Sequence, residues 1–151
     1  MTMEITIRPA DKFEVRDFFR VAFPPDDVWP AMLGWDRIVP CDELFVAVND
    51  GRIVAAVTLA SDGIDGSKMS TLATLFTLPE CHHQGVGHRL CEFAIRRFIE
   101  VGKVPIHCDA TTQGMKATIN GLPDELRLHL HVDYSVERNG DEWEFYERQA
   151  S

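Results

Sequence analysis

The densest chemistry in the chain lies in "LPECHHQGVGHRL", residues 78–90, which joins a proline to three histidines, an arginine and two glycines. Gly85 and Gly87 let bare backbone N–H groups come close to a ligand, and a helix starting there would add the partial positive charge of its N-terminus. Together they describe an anion seat. Pyrophosphate suits such a seat, because several donors can converge on it without a cationic cluster. The side chains of His82, His83, His88 and Arg89 are further donors. No GxxxxGK[ST] and no GxGxxG is present, so neither a P-loop nor a dinucleotide fingerprint explains the glycines.

Other reactive residues group less sharply. Cys81 with His82 and His83, His107 with Cys108 and Asp109, and His129 with His131 are each close in sequence. None has the paired spacing of a structural zinc site, and no metal is expected. Cys108 beside His107 suggests a thiol nucleophile, but adjacent strand residues point to opposite faces, so the two cannot form a dyad. A buried thiol is the simpler reading. Phe23, Trp29 and Trp35 with Asp26, Asp27 and Asp36 combine aromatic faces and carboxylates, which favour a cationic amine. The plainer reading is a surface lid whose tryptophans cover the sheet.

These groups must be positioned by the surrounding elements. Residues 3–8, "MEITIR", alternate as a half-buried strand does, and Asp11 is placed to cap a helix through "KFEVRDFFRVAF". Phe13, Val15, Phe18, Phe19 and Ala22 would form its apolar stripe, and Pro24 and Pro25 would stop it. "PDDVWPAMLGWDRIVP" reads as a short helix or irregular lid. "ELFVAVN" and "RIVAAVTLA" form a hairpin turned at Asn49, Asp50 and Gly51. "STLATLFTL" is apolar on both faces, as a central strand is. From Gln84 a helix is expected, with Val86, Leu90, Ala94, Phe98 and Val101 on one side and Gly102 ending it. "VPIHCDA" is a short strand and "TTQGMKATI" a short helix. "HVDYSVERNGDEWEFYER" is a closing hairpin turned at Asn139 and Gly140, and residues 120–130 give no clear signal.

The 151 residues are 45 % hydrophobic and 26 % charged, which suits one domain, residues 1–151, with a single core. Acidic residues outnumber basic ones by 24 to 15, which argues against nucleic acid as a partner and mildly favours cationic ligands. No run approaches the ~20 apolar residues of a membrane span, and "MTMEITIRPA" lacks the pattern of a signal peptide. A cytoplasmic protein with no membrane partner is expected, its four cysteines unpaired thiols.

The order of elements, with "HHQGVG" (residues 82–87) following a strand that ends in Pro79 and Glu80, resembles the GNAT acyltransferase superfamily over nearly the whole chain. That superfamily's signature is Arg or Gln, two residues, Gly, one residue, then Gly or Ala. His82 stands here in the Arg or Gln slot. The resemblance implies an α/β (α+β) fold: a mixed, mostly antiparallel central sheet flanked by helices, with two strands that splay apart. It implies an acyl-CoA cofactor, most often acetyl-CoA, its pyrophosphate on the backbone of His83, Gln84, Gly85, Val86, Gly87 and His88. The pantetheine arm would pair with Leu75, Phe76 and Thr77, with "VPIHCDA" as the second splayed strand.

The chemistry implied is direct acyl transfer to the amine of a small molecule or peptide. Many members carry a tyrosine acid in a pattern of Asn, six residues, Tyr. Aligning Gln113 with that asparagine places Asn120 in the tyrosine slot, and "STLATLFTL" holds no glutamate base. Asp109 and Tyr134 are then the candidate catalytic groups, or catalysis rests on positioning the reactants. The alternative is a non-catalytic GNAT-like domain that binds coenzyme A or a protein partner. Whether the protein forms a homodimer is left open.

Overall fold

The computed structural model describes residues 3–22, 38–62, 69–109 and 113–133. Its elements are β1 (Thr6–Pro9), α1 (Lys12–Ala22), β2 (Glu43–Asn49), β3 (Arg52–Ala60), β4 (Ser70–Thr77), a 3-10 turn (Pro79–Cys81), α2 (Val86–Glu100), β5 (Ile106–Asp109), α3 (Gln113–Asn120), α4 (Asp124–Arg127) and β6 (Leu130–Asp133). The strands form one six-stranded sheet in chain order. β1 to β4 pair antiparallel, while β4–β5 and β5–β6 pair parallel, giving the expected mixed, mostly antiparallel sheet.

The edge strand β1 starts later than its alternation predicts. The first residues are held elsewhere: Met3 N–H donates to Gln84 O (3.4 Å) and the Asn49 amide donates to Glu4 O (2.8 Å). β1 then runs through Pro9, opposite Phe45, which an edge strand tolerates because proline's missing N–H is not needed on its outer side. Asp11 and Glu14 form a reciprocal cap on α1: Glu14 N–H donates to Asp11 Oδ1 (2.8 Å), and Asp11 N–H donates to Glu14 Oε1 (3.4 Å). Val15, Phe18 and Phe19 are buried, but Phe13 is 59 % exposed. Two positions apart on a helix do not share a face, so Val15 inside puts Phe13 outside. Arg16 lies over the exposed ring at 5.1 Å.

The β2–β3 hairpin turns through Asp50 (φ 49°) and Gly51 (φ 76°), the two consecutive positive values that a tight I′ turn requires. α1 and α2 cover opposite faces of the sheet. On one, the Phe76 ring meets Phe18 at 6.0 Å and Phe19 at 6.2 Å; on the other, Phe45 meets Phe93 edge-on at 5.1 Å. β3 between them is buried from Val54 to Ala60. Each fully covered Phe or Leu in such a core contributes about 1.5–3 kcal/mol by removal from water. The far end of α2 is tied down at Asp42, which accepts from Ser61 N–H (2.7 Å), the Ser61 hydroxyl and Lys103 Nζ (2.9 Å).

Residues 120–130 fold as a turn and the short α4, anchored by buried Leu122 and Leu126 and by an Arg96–Glu125 pair at 3.4 Å. Of the closing hairpin, β6 is described; the turn at Asn139 and Gly140 lies outside the described residues. So do Tyr134 and the segment carrying Phe23, Asp26, Asp27, Trp29, Trp35 and Asp36. Among the described residues, no helix is long and apolar enough to cross a membrane.

Candidate active site

The site begins with a defect in β4. Against β3, Thr58 pairs with Thr74 but Leu59 pairs with Leu72, so Ala73 is an extra residue, a β-bulge. Bulges bend a strand and increase its twist. Consistent with this, β4 pairs with β5 only over Ser70, Thr71 and Leu72, opposite Ile106, His107 and Cys108. Beyond the bulge, Ala73 to Thr77 have no partner on β5 among the described residues, and this open stretch is where the splay is expected. Leu78 N–H donates to Val54 O at 2.9 Å. By the two-residue repeat of a strand, the main-chain groups of Phe76 also face β3, while those of Leu75 and Thr77 face the gap. Of the three strand residues expected to pair with a ligand arm, two therefore turn their backbones away from β3. Phe76 instead gives its ring to the contact with α1.

At the outer end of this gap sits the glycine loop. After the 3-10 turn the chain passes His83 at φ 64° and Gly85 at φ 78°, and α2 starts at Val86. Arg89 N–H donates to Gly85 O at 3.0 Å. The N–H groups of Val86, Gly87 and His88 thus head a 15-residue helix with no carbonyl one turn before them. Their orientation and the helix dipole favour an anion there. Gly87 also packs closely. A Cβ at that position would lie 3.1 Å from Thr77 Oγ1, so glycine lets the helix start rest against the end of β4 without displacing that hydroxyl. The seat is thereby joined directly to the open edge.

The histidines divide their duties. His82 Nε2 lies 3.0 Å from Thr77 O and donates to it, bracing the loop against β4. His88 turns toward the end of α3, where a Cβ on Gly121 would come within 3.3 Å of its Cε1. Asn120, the last residue of α3, is exposed beside it. The Gln84 amide donates to Glu80 O at 3.1 Å, and Arg89 donates to Met3 O at 3.1 Å. A hollow of about 530 Å³ lined by Met3, Thr6, Asn49 and Arg89 opens near this bracing. It lies at the β1–β2 edge, away from the splay.

A second polar group lies at the inner end of the gap. Parallel pairing sets His107 beside His131 and Asp109 beside Asp133, with the two imidazoles 5.7 Å apart. His107 Nε2 meets Asp109 Oδ1 at 2.8 Å, and both side chains are partly exposed. Ligating atoms of His107, Asp109 and Asp133 lie within 4.8 Å of one another. The imidazole is hydrogen-bonded within the group, as a pair beside a second carboxylate. Cys108, between His107 and Asp109, faces the other way and is buried. Burial, with neighbouring Cys91 second, pushes its thiol far above the usual range, and burial raises Cys91 to about 12. Neither is a nucleophile near neutral pH. Cys41, Cys81, Cys91 and Cys108 are all buried, and none forms a disulfide.

The sequence reading set His107 against Cys108 and missed its partnership with Asp109. The signal was present: residues two apart on a strand share a face. Thr77 as the contact of Gly87, and the bulge at Ala73, had no such signal.

Sheet order, splay and glycine-started helix together define an acyltransferase-type fold. The profile of the Acetyltransferase (GNAT) family matches residues 12–119, and the chain belongs to that family. A GNAT family acetyltransferase of Brucella melitensis, in complex with acetyl-CoA, superposes with TM-score 0.54 at 18 % identity over 68 % of this chain and 73 % of that one. The IAA acetyltransferase of Bacillus cereus gives 0.58 at 13 % identity, over 78 % and 74 %. The ribosomal-protein-S18-alanine N-acetyltransferase of Escherichia coli gives 0.55 at 17 %, over 78 % and 75 %. At these identities the likeness concerns the fold. No curated protein sequence matches the chain significantly.

Proposed function

We propose that this protein is an acyl-CoA-dependent N-acyltransferase that moves an acetyl group from acetyl-CoA to the amine of a small molecule or peptide. The observation that carries the reading is the continuity of seat and gap: Gly87 packs on Thr77, so the helix start adjoins the side of Leu75 and Thr77 that no strand covers among the described residues, where the Thr77 carbonyl accepts only from His82. A diphosphate linked to an amide-rich arm has the chemistry to fill both. Main-chain N–H groups between His83 and His88 hold the diphosphate, and the backbone of β4 pairs with the arm as a neighbouring strand would. When bound, acetyl-CoA supplies an activated acyl carbonyl at the end of that arm. Family membership and the acetyl-CoA held by the Brucella relative support the same cofactor. Asp109 lies at the fork of β4 and β5, where the reacting carbonyl would rest. Tyr134, next in sequence after β6, is the candidate to protonate the departing thiolate.

Calorimetric titration with acetyl-CoA should give saturable one-site binding, and an amine panel should then release free thiol. Failure to bind overturns the cofactor reading. Asn120 favours a second reading, since an amide at the end of α3 cannot supply a proton as a tyrosine does. A coenzyme-binding domain without turnover would bind acetyl-CoA yet release no thiol with any amine.

A further inference from the structure

We propose that His107, oriented by Asp109, is the general base that takes a proton from the acceptor ammonium. This rests on the acyltransferase reading and extends it to a named residue. The bulge at Ala73 sets the placement. Pairing of β4 with β5 ends at Leu72 and Cys108, so His107 lies within the last paired turn of the sheet and Asp109 at the mouth of the fork. Both belong to the face opposite α2, because Cys108 between them is buried on the α2 side beside Cys91. The seat's Gly87 and Thr77 meet on the α2 side. Two reactants can therefore reach one gap from opposite faces of the sheet without competing for space.

The pair has the hydrogen bonding of an oriented base. Asp109 Oδ1 accepts from Nε2–H of His107 at 2.8 Å, which leaves Nδ1 as the acceptor nitrogen, with no hydrogen-bond partner among the described residues. The side chains are 27 % and 39 % exposed, enough for an amine to arrive. The groups facing His107 are Asp109 on its own strand, His131 and Asp133 on β6, and neutral Thr71 on β4. Two carboxylates around one imidazole favour a cationic acceptor. On the same face the Thr58 hydroxyl is buried with no hydrogen-bond partner among the described residues. A sheet face needing only cover would bear apolar residues here, as Ile106 and Cys108 do on the other side.

The step balances as follows. Nδ1 of His107 accepts one proton from the ammonium, leaving a neutral amine. Its nitrogen forms the C–N bond with the acyl carbon, and the C–S bond breaks with its electron pair on sulfur. The second amine proton ends on that sulfur, giving an amide and a free thiol. The imidazolium returns its proton to solvent.

The test uses the full chain and acetyl-CoA, with thiol release across an amine panel, calorimetry and imidazole NMR. His107→Ala and His107→Gln should each lower kcat about 100-fold or more while acetyl-CoA affinity stays within about twofold. Added imidazole should restore part of the His107→Ala rate. Asp109→Asn should lower kcat less and mix the two imidazole tautomers, where the parent shows Nε2–H alone. Variants that bind acetyl-CoA and keep kcat within about threefold of the parent overturn the proposal. So does turnover that requires an added divalent metal and is abolished by a chelator. A parent protein that binds no acetyl-CoA, or binds it and acylates nothing, is a different result: the acyltransferase reading itself falls, taking the base with it.

Discussion

The two ends of the splay are built from different materials. The outer end is main chain: three helix-start N–H groups, a left-handed Gly85, and a Gly87 whose missing side chain admits Thr77. The inner end is side chain: His107 and Asp109 on one strand, with His131 and Asp133 brought alongside by the register of another. On the proposed reading, a seat made of backbone would recognise a shared feature, the diphosphate, and tolerate any side chain that leaves the backbone in place. A site made of side chains can change its acceptor by substitution without disturbing the sheet. The proposed cofactor end would thus be bound to the fold, and the proposed acceptor end carried on it.

Gly87 offers the strongest way to break this contrast. Valine there would drive a branched Cβ into Thr77 Oγ1, which lies 3.1 Å from the ideal Cβ position, and would push the helix start off β4. Acetyl-CoA affinity should fall about 100-fold or more, with about 1–3 kcal/mol of stability lost to overpacking. Gly87→Ala should fall between, and adding Thr77→Ala should recover most of its loss in both binding and stability. Calorimetry and urea unfolding of the cycle check this. Binding that survives Gly87→Val would mean that the seat is elsewhere.

The same contrast explains what was legible from the chain. Gly85 and Gly87 announce the backbone-built end because glycine spacing after a strand is itself the signal. The Asn49–Gly51 turn and the Asp11 cap are local in the same sense, since each is decided within a few residues. Phe13 misled because five apolar residues in α1 exceed what one helical face can hold. The bulge at Ala73 has no local mark: "STLATLFTL" is apolar on both faces, so nothing in it records where a residue is inserted. The cluster of His107, Asp109, His131 and Asp133 depends on a pairing across more than twenty residues, through the stretch 120–130 that carried no clear periodicity. Half of it, His107 with Asp109, could have been found from strand alternation.

Asn120→Tyr probes the acceptor end from the helix side. Asn120 is exposed at the end of α3, so a larger side chain is accommodated without cost to the core. A hydroxyl there should raise kcat several-fold up to about 100-fold, within the range for a positioned acid, while the acetyl-CoA affinity stays unchanged. Thiol release at saturating amine measures it. No gain in rate would show that the proton for the leaving sulfur comes from another group, with Tyr134 the first to substitute.

A matched pair of glycines separates backbone conformation from ligand contact. Gly85 and Gly102 stand at φ 78° and 76°, at the two ends of α2. Replacing either with alanine should cost about 1–2 kcal/mol of stability from the left-handed conformation. Gly85→Ala should also weaken acetyl-CoA about tenfold or more, and Gly102→Ala should leave binding unchanged. Equal effects on binding would mean that the seat responds to helix stability in general.

The smallest effect is expected at Asp42, which ties the far end of α2 to β3. Burial opposes ionisation of this carboxyl, but hydrogen bonds from Ser61 and Lys103, with the lysine charge, outweigh it and hold the group below its usual range. The unfolded chain therefore binds the proton more readily than the folded one across the acid window. Stability from this group is complete above the ordinary carboxylate range of about 4 and declines as pH falls toward the lower folded value. Because the side chain is 44 % exposed, solvent screening limits the contribution to about 1 kcal/mol or less. Asp42→Asn should lower stability by that amount at pH 7 and flatten its acid dependence between about pH 5 and 3, measured by thermal unfolding. Acetyl-CoA binding should be unaltered, since the seat is fixed by Gly87 against Thr77 at the opposite end of the helix. A loss of affinity in this variant would instead make the position of the whole helix, rather than its first turn, the determinant of the cofactor end.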